Sequence, residues 1–69
     1  SFRRALLDGA SLIGANFTGA TFSDAVLTGA DLTNVDFTNA NLTYADFTGA
    51  NMTGAILTGA IITGAIIPE

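Results

Sequence analysis

The sequence lacks cysteine, histidine, lysine and tryptophan altogether, and it has one proline among its 69 residues. Without cysteine or histidine, it offers no disulfide and no ligand set for a structural zinc site. A general base that titrates near neutral pH and an activated nucleophile would have to come from five Asp, one Glu, three Ser and one Tyr. We therefore predict that the protein is not an enzyme, uses no cofactor and binds no metal.

Charge is also scarce. The basic residues are Arg3 and Arg4, six residues are acidic, and the formal net charge is −4. Residues 47–68 carry no charge, and a stretch of this length is sufficient for a membrane-spanning helix. However, Asn51, four threonines and four glycines interrupt it, and glycines five residues apart miss the four-residue spacing of paired membrane helices. We predict no membrane span.

What the sequence does contain is one five-residue pattern, repeated from end to end. Residues 30–34, 35–39, 40–44 and 45–49 each read as a small apolar residue, Asp or Asn, a large apolar residue, Thr and a variable residue. We call the large apolar residue the centre of its pentad. Alanine stands two residues before every centre except at Val35, and all eight glycines stand two residues after a centre. The thirteen centres are Leu7, Leu12, Phe17, Phe22, Leu27, Leu32, Phe37, Leu42, Phe47, Met52, Leu57, Ile62 and Ile67.

A period of five fits neither common element. On an α-helix, residues five apart are rotated by roughly 140°, so the centres would not share a face. On a straight strand, an odd spacing would send successive centres to opposite sides of the sheet. All centres can point inward only if the chain turns a corner once per pentad. Glycine or asparagine two residues after the centre suits such a corner, because both residues tolerate positive φ.

This pattern resembles that of the pentapeptide-repeat family, A-[D/N]-L-x-x, over residues 5–69. The resemblance implies an all-β fold, a right-handed quadrilateral β-helix with four pentapeptides per coil and about three coils. Its interior would be filled by the centres and the alanines. We expect one domain over residues 5–69, preceded by a segment, residues 1–4, that is a candidate cap. Because the chain opens in mid-pentad without Met, we also expect it to be a fragment or processed product of a longer chain.

Four pentads per coil place residues twenty apart above one another. We therefore expect all thirteen centres to be buried, with the ring of Phe17 stacked against that of Phe37 in the interior. Threonine after most centres is expected to form outward ladders that favour β-structure. Threonine arrays also resemble those of ice-binding solenoids, but here they occupy all the walls rather than one flat face. Asp31 and Asp36 fall on adjacent walls, which argues against a catalytic acid pair.

For function, the sequence favours a non-catalytic structural or protein–protein interaction module. From Asp31 to Asn51 the residue before each centre is Asp or Asn, whereas the last coil has Ile56, Ile61 and Ile66 there. We name these three residues the collar, and we predict that they face outward and mediate self-association, end to end, or binding of an unknown protein partner at the C-terminal end. Tyr44, the aromatic residue at a corner, is a second candidate contact. We expect no small-molecule substrate and no direct nucleic-acid binding.

The alternative comes from the resemblance. Some members of the family imitate the girth and negative surface of duplex DNA, and they inhibit or protect a DNA-binding enzyme such as gyrase. The net charge of −4 has the sign that this role requires. The five aspartates are nevertheless dispersed over the four walls rather than arranged in rows. The resemblance also implies members in cyanobacteria and chloroplasts, including the thylakoid lumen.

Overall fold

The computed structural model describes residues 1–68, which form one continuous coil with four sides. Successive turns of the coil are joined by parallel bridges between residues twenty apart, and the bridge residue always directly precedes a centre. Each bridge is a single residue pair, so residues 1–68 contain neither a helix nor a strand longer than one residue. The bridges join Leu6 to Val26, Ser11 to Asp31, Asn16 to Asp36, Thr21 to Asn41, Val26 to Asp46, Asp31 to Asn51, Asp36 to Ile56, Asn41 to Ile61 and Asp46 to Ile66.

The chain turns each corner at the residue two after a centre. From Arg4 to Gly64, every residue in this place has a φ between 59° and 73°. The next amide N–H donates to the carbonyl of the centre, as Ala10 N–H does to Leu7 O at 3.0 Å. A positive φ at the third residue of such a turn favours glycine, because glycine has no Cβ. Corners without glycine have Arg4, Asp24, Asn34, Asn39 and Tyr44. The prediction that glycine or asparagine turns the corners with a positive φ is confirmed, and three further corners have Arg4, Asp24 and Tyr44 instead.

Backbone hydrogen bonds of 2.7–2.9 Å join each turn of the coil to the next. The amide of a centre donates to the carbonyl nineteen residues later, as Leu27 N–H does to Asp46 O. The amide of a bridge residue donates in the other direction, to the carbonyl twenty-one residues earlier, as Val26 N–H does to Ala5 O. This ladder satisfies the buried backbone groups, which would otherwise destabilise so narrow a fold.

The core lies in the middle turns of the coil. Twelve residues from Phe22 to Ala50 are buried, among them the six centres from Phe22 to Phe47, whose exposed fraction is 0%. Centres nearer the ends, such as Leu7 and Leu57, are only partly buried. The prediction that all thirteen centres are buried is therefore wrong outside Phe22–Phe47: the other centres are only partly buried, and Ile62 is 49% exposed. Burial of a centre requires a turn of the coil on both sides, and Ile62 has a neighbouring turn on one side only.

The phenylalanines form one aromatic column through the first half of the interior. The expected stack of Phe17 on Phe37 is confirmed, with ring centroids 5.6 Å apart and planes 20° apart. A second stack joins Phe2 to Phe22 at 4.8 Å. Phe22 meets Phe37 edge to face at 5.2 Å, and Phe37 meets Phe47 at 5.9 Å in the same manner. Such pairs add about 0.5–1.5 kcal/mol each beyond the burial of their area.

The predicted N-terminal segment, residues 1–4, follows the same register as the pentads. Phe2 N–H donates to Thr21 O at 2.8 Å, and Arg4 N–H donates to Ser23 O at 2.9 Å. Phe2 occupies a centre position and remains 38% exposed. The coil therefore extends back to Phe2, without a change of structure at residue 5.

We predict that Phe37→Ala destabilises the domain by about 3–5 kcal/mol, because the truncated ring leaves a cavity between two rigid turns of the coil. Thermal or urea unfolding followed by far-ultraviolet circular dichroism would measure the effect. Phe17→Ala is the matched control. It should cost less, since Phe17 is only partly buried. If the two variants lose the same free energy of unfolding, the cost does not depend on how deeply the ring is buried between turns.

Candidate interaction surface at the C-terminal coil

Six pentads, those with Asp or Asn before the centre, share a hydrogen-bonding arrangement on their outer surface. The Oδ1 atom of the Asp or Asn before the centre accepts from both the amide and the hydroxyl of the Thr two residues later. In the pentad of Phe37, Asp36 Oδ1 accepts from Thr38 N–H at 2.9 Å and from Thr38 Oγ1–H at 2.5 Å. The other residues that accept in this way are Asn16, Asp31, Asn41, Asp46 and Asn51. The Asp and Asn side chains are thus turn caps, and each threonine supplies two donors to its cap as well as a β-branched side chain.

These contacts change the acidity of two aspartates. The pKa of Asp36 is lowered from the ordinary value of 3.8, mainly by the hydroxyl and then by the amide of Thr38, while partial desolvation acts against them. The pKa of Asp46 is lowered in the same way by Thr48. Both shifts arise because the charged carboxylate is the better acceptor.

The collar lacks this arrangement. Ile56, Ile61 and Ile66 are 45%, 51% and 54% exposed and project outward on three successive walls. Their bridges place them directly beside Asp36, Asn41 and Asp46 of the preceding turn. Isoleucine cannot accept a hydrogen bond, so the caps of the interior pentads end where the collar begins. The structure therefore places the three isoleucines together on one terminal turn.

Tyr44 lies at the corner next to the collar. It is 63% exposed and has a φ of 59°, an uncommon conformation for a bulky residue. A Cβ atom on Gly64 would overlap its ring, so the ring lies against the backbone of Gly64. Gly64 is the corner between Ile61 and Ile66. The ring of Tyr44 consequently lies against the corner that separates Ile61 from Ile66.

Other large apolar side chains are also exposed. Leu6 is 77% exposed and Ile13 is 59% exposed, both in the first turn of the coil. Ile13 stands in a place usually taken by Thr, and its exposure follows from the pentad register. Leu6 was missed by the sequence reasoning, although it precedes the centre Leu7 just as Ile56 precedes Leu57. The same signal that identified the collar could have found it.

The remaining surface offers few groups for metal binding or catalysis. Within residues 1–68 no cluster of three acidic residues is placed to hold a metal ion, and no pocket is present. Asp31 and Asp36 are bound to different threonines, on adjacent walls. The described chain also has no helix of the length and hydrophobicity that membrane crossing needs.

Comparison with known proteins identifies the family. The family model described as pentapeptide repeats matches residues 1–39 and 30–67, with eight copies of the repeat. The chain belongs to the pentapeptide-repeat family. No curated protein sequence matches it.

Solved structures of pentapeptide-repeat proteins share the fold. HetL, from the cyanobacterium Nostoc sp. strain PCC 7120, superimposes with a TM-score of 0.92 at 43% identity, over 96% of this chain and 31% of HetL. Rfr23, from Cyanothece 51142, gives a TM-score of 0.85 at 30% identity, over 91% of this chain and 44% of Rfr23. A thylakoid-lumen protein of Arabidopsis thaliana gives 0.64 at 30% identity, over 90% of this chain and 46% of that protein.

These likenesses confirm the predicted fold class, a right-handed quadrilateral β-helix of pentapeptide repeats. The chain spans 31% of HetL and less than half of the other two proteins.

We predict that stability falls at low pH through Asp36 and Asp46. A carboxyl whose pKa is lowered on folding stabilises the fold at pH values above its unfolded pKa, near 3.8, and this contribution is lost as the pH falls through the lower folded pKa. Melting temperatures measured from pH 7 to pH 2 should therefore decline below about pH 4. Thr38→Val, which removes the hydroxyl donor and keeps the shape, should reduce the decline. An unchanged pH profile in Thr38→Val would contradict this assignment.

We predict that Gly64→Ala costs more than Gly14→Ala. Both glycines have a φ near 70°, so each substitution carries the left-handed penalty of about 1–2 kcal/mol. Only at Gly64 does the new methyl group overlap a side chain, because the space beside Gly14 is open. Urea unfolding measures both losses, and the excess at Gly64 should disappear when Tyr44→Ala is added. If Gly64→Ala and Gly14→Ala lose the same free energy of unfolding while Tyr44 is retained, the tyrosine ring does not lie against Gly64.

Proposed function

We propose that this chain is a non-catalytic structural and protein-interaction module that associates through its C-terminal turn, with the collar and Tyr44 as its contact surface. The observation that carries the proposal is the exchange of Asp or Asn for isoleucine at three exposed positions of one turn, where the side chains are 45–54% exposed.

The exchange does not serve the stability of the chain itself. In the five consecutive pentads from Leu32 to Met52, the Asp or Asn side chain caps a turn with two hydrogen bonds. Ile56 and Ile61 forgo this cap for Thr58 and Thr63, and they leave apolar surface in water instead. A net hydrogen bond contributes about 0.5–1.5 kcal/mol. After five consecutive pentads with Asp or Asn in this place, from Asp31 to Asn51, the change to three consecutive isoleucines is a departure of the kind that sequences commonly make for function.

Tyr44 adds an anchor of suitable character. Its ring is held against Gly64, so little side-chain freedom remains to be lost on binding. Tyrosine also combines a large apolar face with a hydroxyl, which explains its frequency among residues that dominate interfaces.

The last turn itself carries no charge, although Asp36 and Asp46 of the preceding turn lie beside Ile56 and Ile66. Residues 47–68 contain no Asp, Glu, Lys or Arg. Charged residues are depleted from the centres of protein interfaces, because a buried charge must be desolvated. HetL is described as involved in the regulation of heterocyst differentiation. A regulatory role of that kind is compatible with a binding module.

The alternative, imitation of DNA towards an enzyme such as gyrase, has less support. Its supporting observation is the net charge of −4. Imitation of a phosphate backbone requires stacked carboxylates. Among the bridges of residues 1–68, however, Asp31 lies between Ser11 and Asn51, and Asp36 lies between Asn16 and Ile56. No bridge in that range joins two aspartates.

We predict that replacing the collar with asparagine abolishes self-association without unfolding the chain. Asparagine at positions 56 and 61 can cap Thr58 and Thr63 as Asn51 caps Thr53, so the melting temperature should not fall. Light scattering across a range of concentrations would follow the mass. The control replaces the same three residues with valine and should keep the association. If the unmodified chain and the asparagine variant have the same mass at every concentration, the collar has no role in self-association.

A further inference from the structure

Tyr44 has a ring that is fixed on one side and open on the other. Its backbone belongs to the ladder, since Tyr44 N–H donates to Thr63 O at 2.9 Å. A Cβ on Gly64 would meet the ring atoms Cδ1 and Cε1 first, so the ring covers the backbone of Gly64. The side chain is nevertheless 63% exposed. This corner therefore presents an aromatic surface that a partner can contact without first having to order it.

Two outward residues lie on the wall that follows this corner. Asp46 comes two residues after Tyr44, and Ile66 comes two residues after Gly64. A parallel bridge joins Asp46 to Ile66. The four residues thus form a square over two successive turns of the coil, and we call this square the Tyr44 corner. It combines an aromatic ring, an aliphatic side chain that is 54% exposed and a carboxylate.

The carboxylate of Asp46 is held in place by its own pentad. Thr48 N–H donates to Asp46 Oδ1 at 3.0 Å, and Thr48 Oγ1–H donates to the same atom at 2.5 Å. Both bonds leave Oδ2 to a donor from outside. They also lower the pKa of Asp46, the hydroxyl more than the amide, which keeps the carboxyl charged at neutral pH. A fixed anion with a free oxygen suits a cation that carries hydrogen-bond donors.

The charges around this corner favour a ligand of the same sign. Asp24 occupies the corner one turn earlier, and Arg4 occupies it two turns earlier. Arg4 is thus the neighbour of Asp24, and its positive charge offsets that carboxylate. Asp46 has no basic neighbour of this kind, since its bridges join it to Val26 and Ile66. The corner therefore presents one uncompensated negative charge on the wall beside an aromatic ring.

We propose that the Tyr44 corner binds an arginine side chain of a partner protein, with the guanidinium stacked on the ring of Tyr44 and hydrogen-bonded to Asp46. This proposal rests on the proposed function, and it names the chemical group that Tyr44 recognises. A guanidinium is planar, stacks on aromatic faces and donates hydrogen bonds to carboxylates in its own plane, whereas the ammonium of lysine is a compact charge without a face. The methylene groups of the arginine would lie along Ile66, since long basic side chains pack their stems on apolar surface.

A second corner of the same coil has this arrangement without the tyrosine. There Asn34 lies on Gly54 in the way that tyrosine lies on glycine at the first corner. Asp36 follows Asn34 by two residues, is bonded through Oδ1 to Thr38, and is joined by its bridge to Ile56. We call this set the Asn34 corner. Because the two corners differ chiefly in the aromatic ring, the molecule contains its own control.

Titration followed by nuclear magnetic resonance tests the proposal on the whole 69-residue chain. The probe is N-acetylarginine amide, and N-acetylcitrulline amide is an uncharged control of similar shape. We expect the arginine probe to shift, in a saturable manner, the amide signals of Tyr44, Asp46 and Ile66. It should also shift the ring signals of Tyr44, which is the single tyrosine of the chain. The Asn34 corner should shift little with arginine, and neither corner should shift with citrulline.

The chain itself suggests variants that preserve the fold. Tyr44→Asn reproduces the residue at the corner of Asn34, and Asp46→Asn reproduces the cap that Asn41 makes. Tyr44→Asn should weaken binding of the arginine probe by about two- to fivefold, as expected for the loss of an exposed cation–π contact. Asp46→Asn should weaken it by about tenfold or more, because a hydrogen bond to a charged group is lost. Asp36→Asn removes the same charge from the other corner and should leave the affinity unchanged.

Asn34→Tyr is the converse test. It should place an aromatic ring over Gly54 and produce new saturable shifts at Asp36 and Ile56. Circular dichroism would verify that every variant keeps the fold of the unmodified chain.

Three results would overturn the proposal. The first is the absence of a saturable shift at the Tyr44 corner. The second is an equal loss of affinity in Asp36→Asn and Asp46→Asn, which would mean that the net charge attracts the probe without a site. The third is equal affinity for N-acetyllysine amide, which would overturn the assignment to arginine. Failure of the proposed function is a separate result, because it is measured as an unchanged mass in the triple asparagine variant, whereas the titration uses a small ligand and requires no self-association.

Discussion

The whole structure depends on one backbone constraint, the left-handed residue that turns the chain at every fifth position. Each φ of 59–73° bends the coil through one corner, and only this repeated bend allows a centre in every pentad to point inward. Once the corners are set, residues twenty apart are parallel neighbours and the hydrogen-bond ladder follows. The eight glycines are the means by which most corners avoid the steric penalty of that conformation.

The stability of such a coil is local along its axis. Each turn contacts only the turns above and below it, so burial is complete in the middle and declines towards both faces. The outer surface has its own local rule, the cap of Thr by the preceding Asp or Asn. Both rules act independently, which is why the last turn can keep its inward Leu57 while it changes the outward residue beside it to isoleucine.

The sequence was sufficient to predict the fold class, the corners, the stack of Phe17 on Phe37 and the position of the collar, because all of them follow from a fixed phase. What it could not supply was any property that depends on the number of neighbouring turns. Ile62 has the same pattern as Leu42, yet it is exposed because no turn lies above it. Nor did the sequence reveal that Tyr44 lies on Gly64, since that contact depends on a side-chain rotamer. The dual hydrogen bonds of Asp36 likewise required coordinates.

Because the coil has four sides, the insertion or deletion of pentads affects the core and the outer surface differently. Gain or loss of a single pentad in such a chain keeps every centre pointing inward, because each pentad turns one corner, although it changes which centres stack on one another. It rotates everything that follows by one wall, and it thereby moves each outward residue into a different column. Only changes in units of twenty residues conserve both. A lineage of these coils can therefore vary in length with little cost to folding, while a binding surface composed of residues from several turns tolerates only the addition or removal of whole turns.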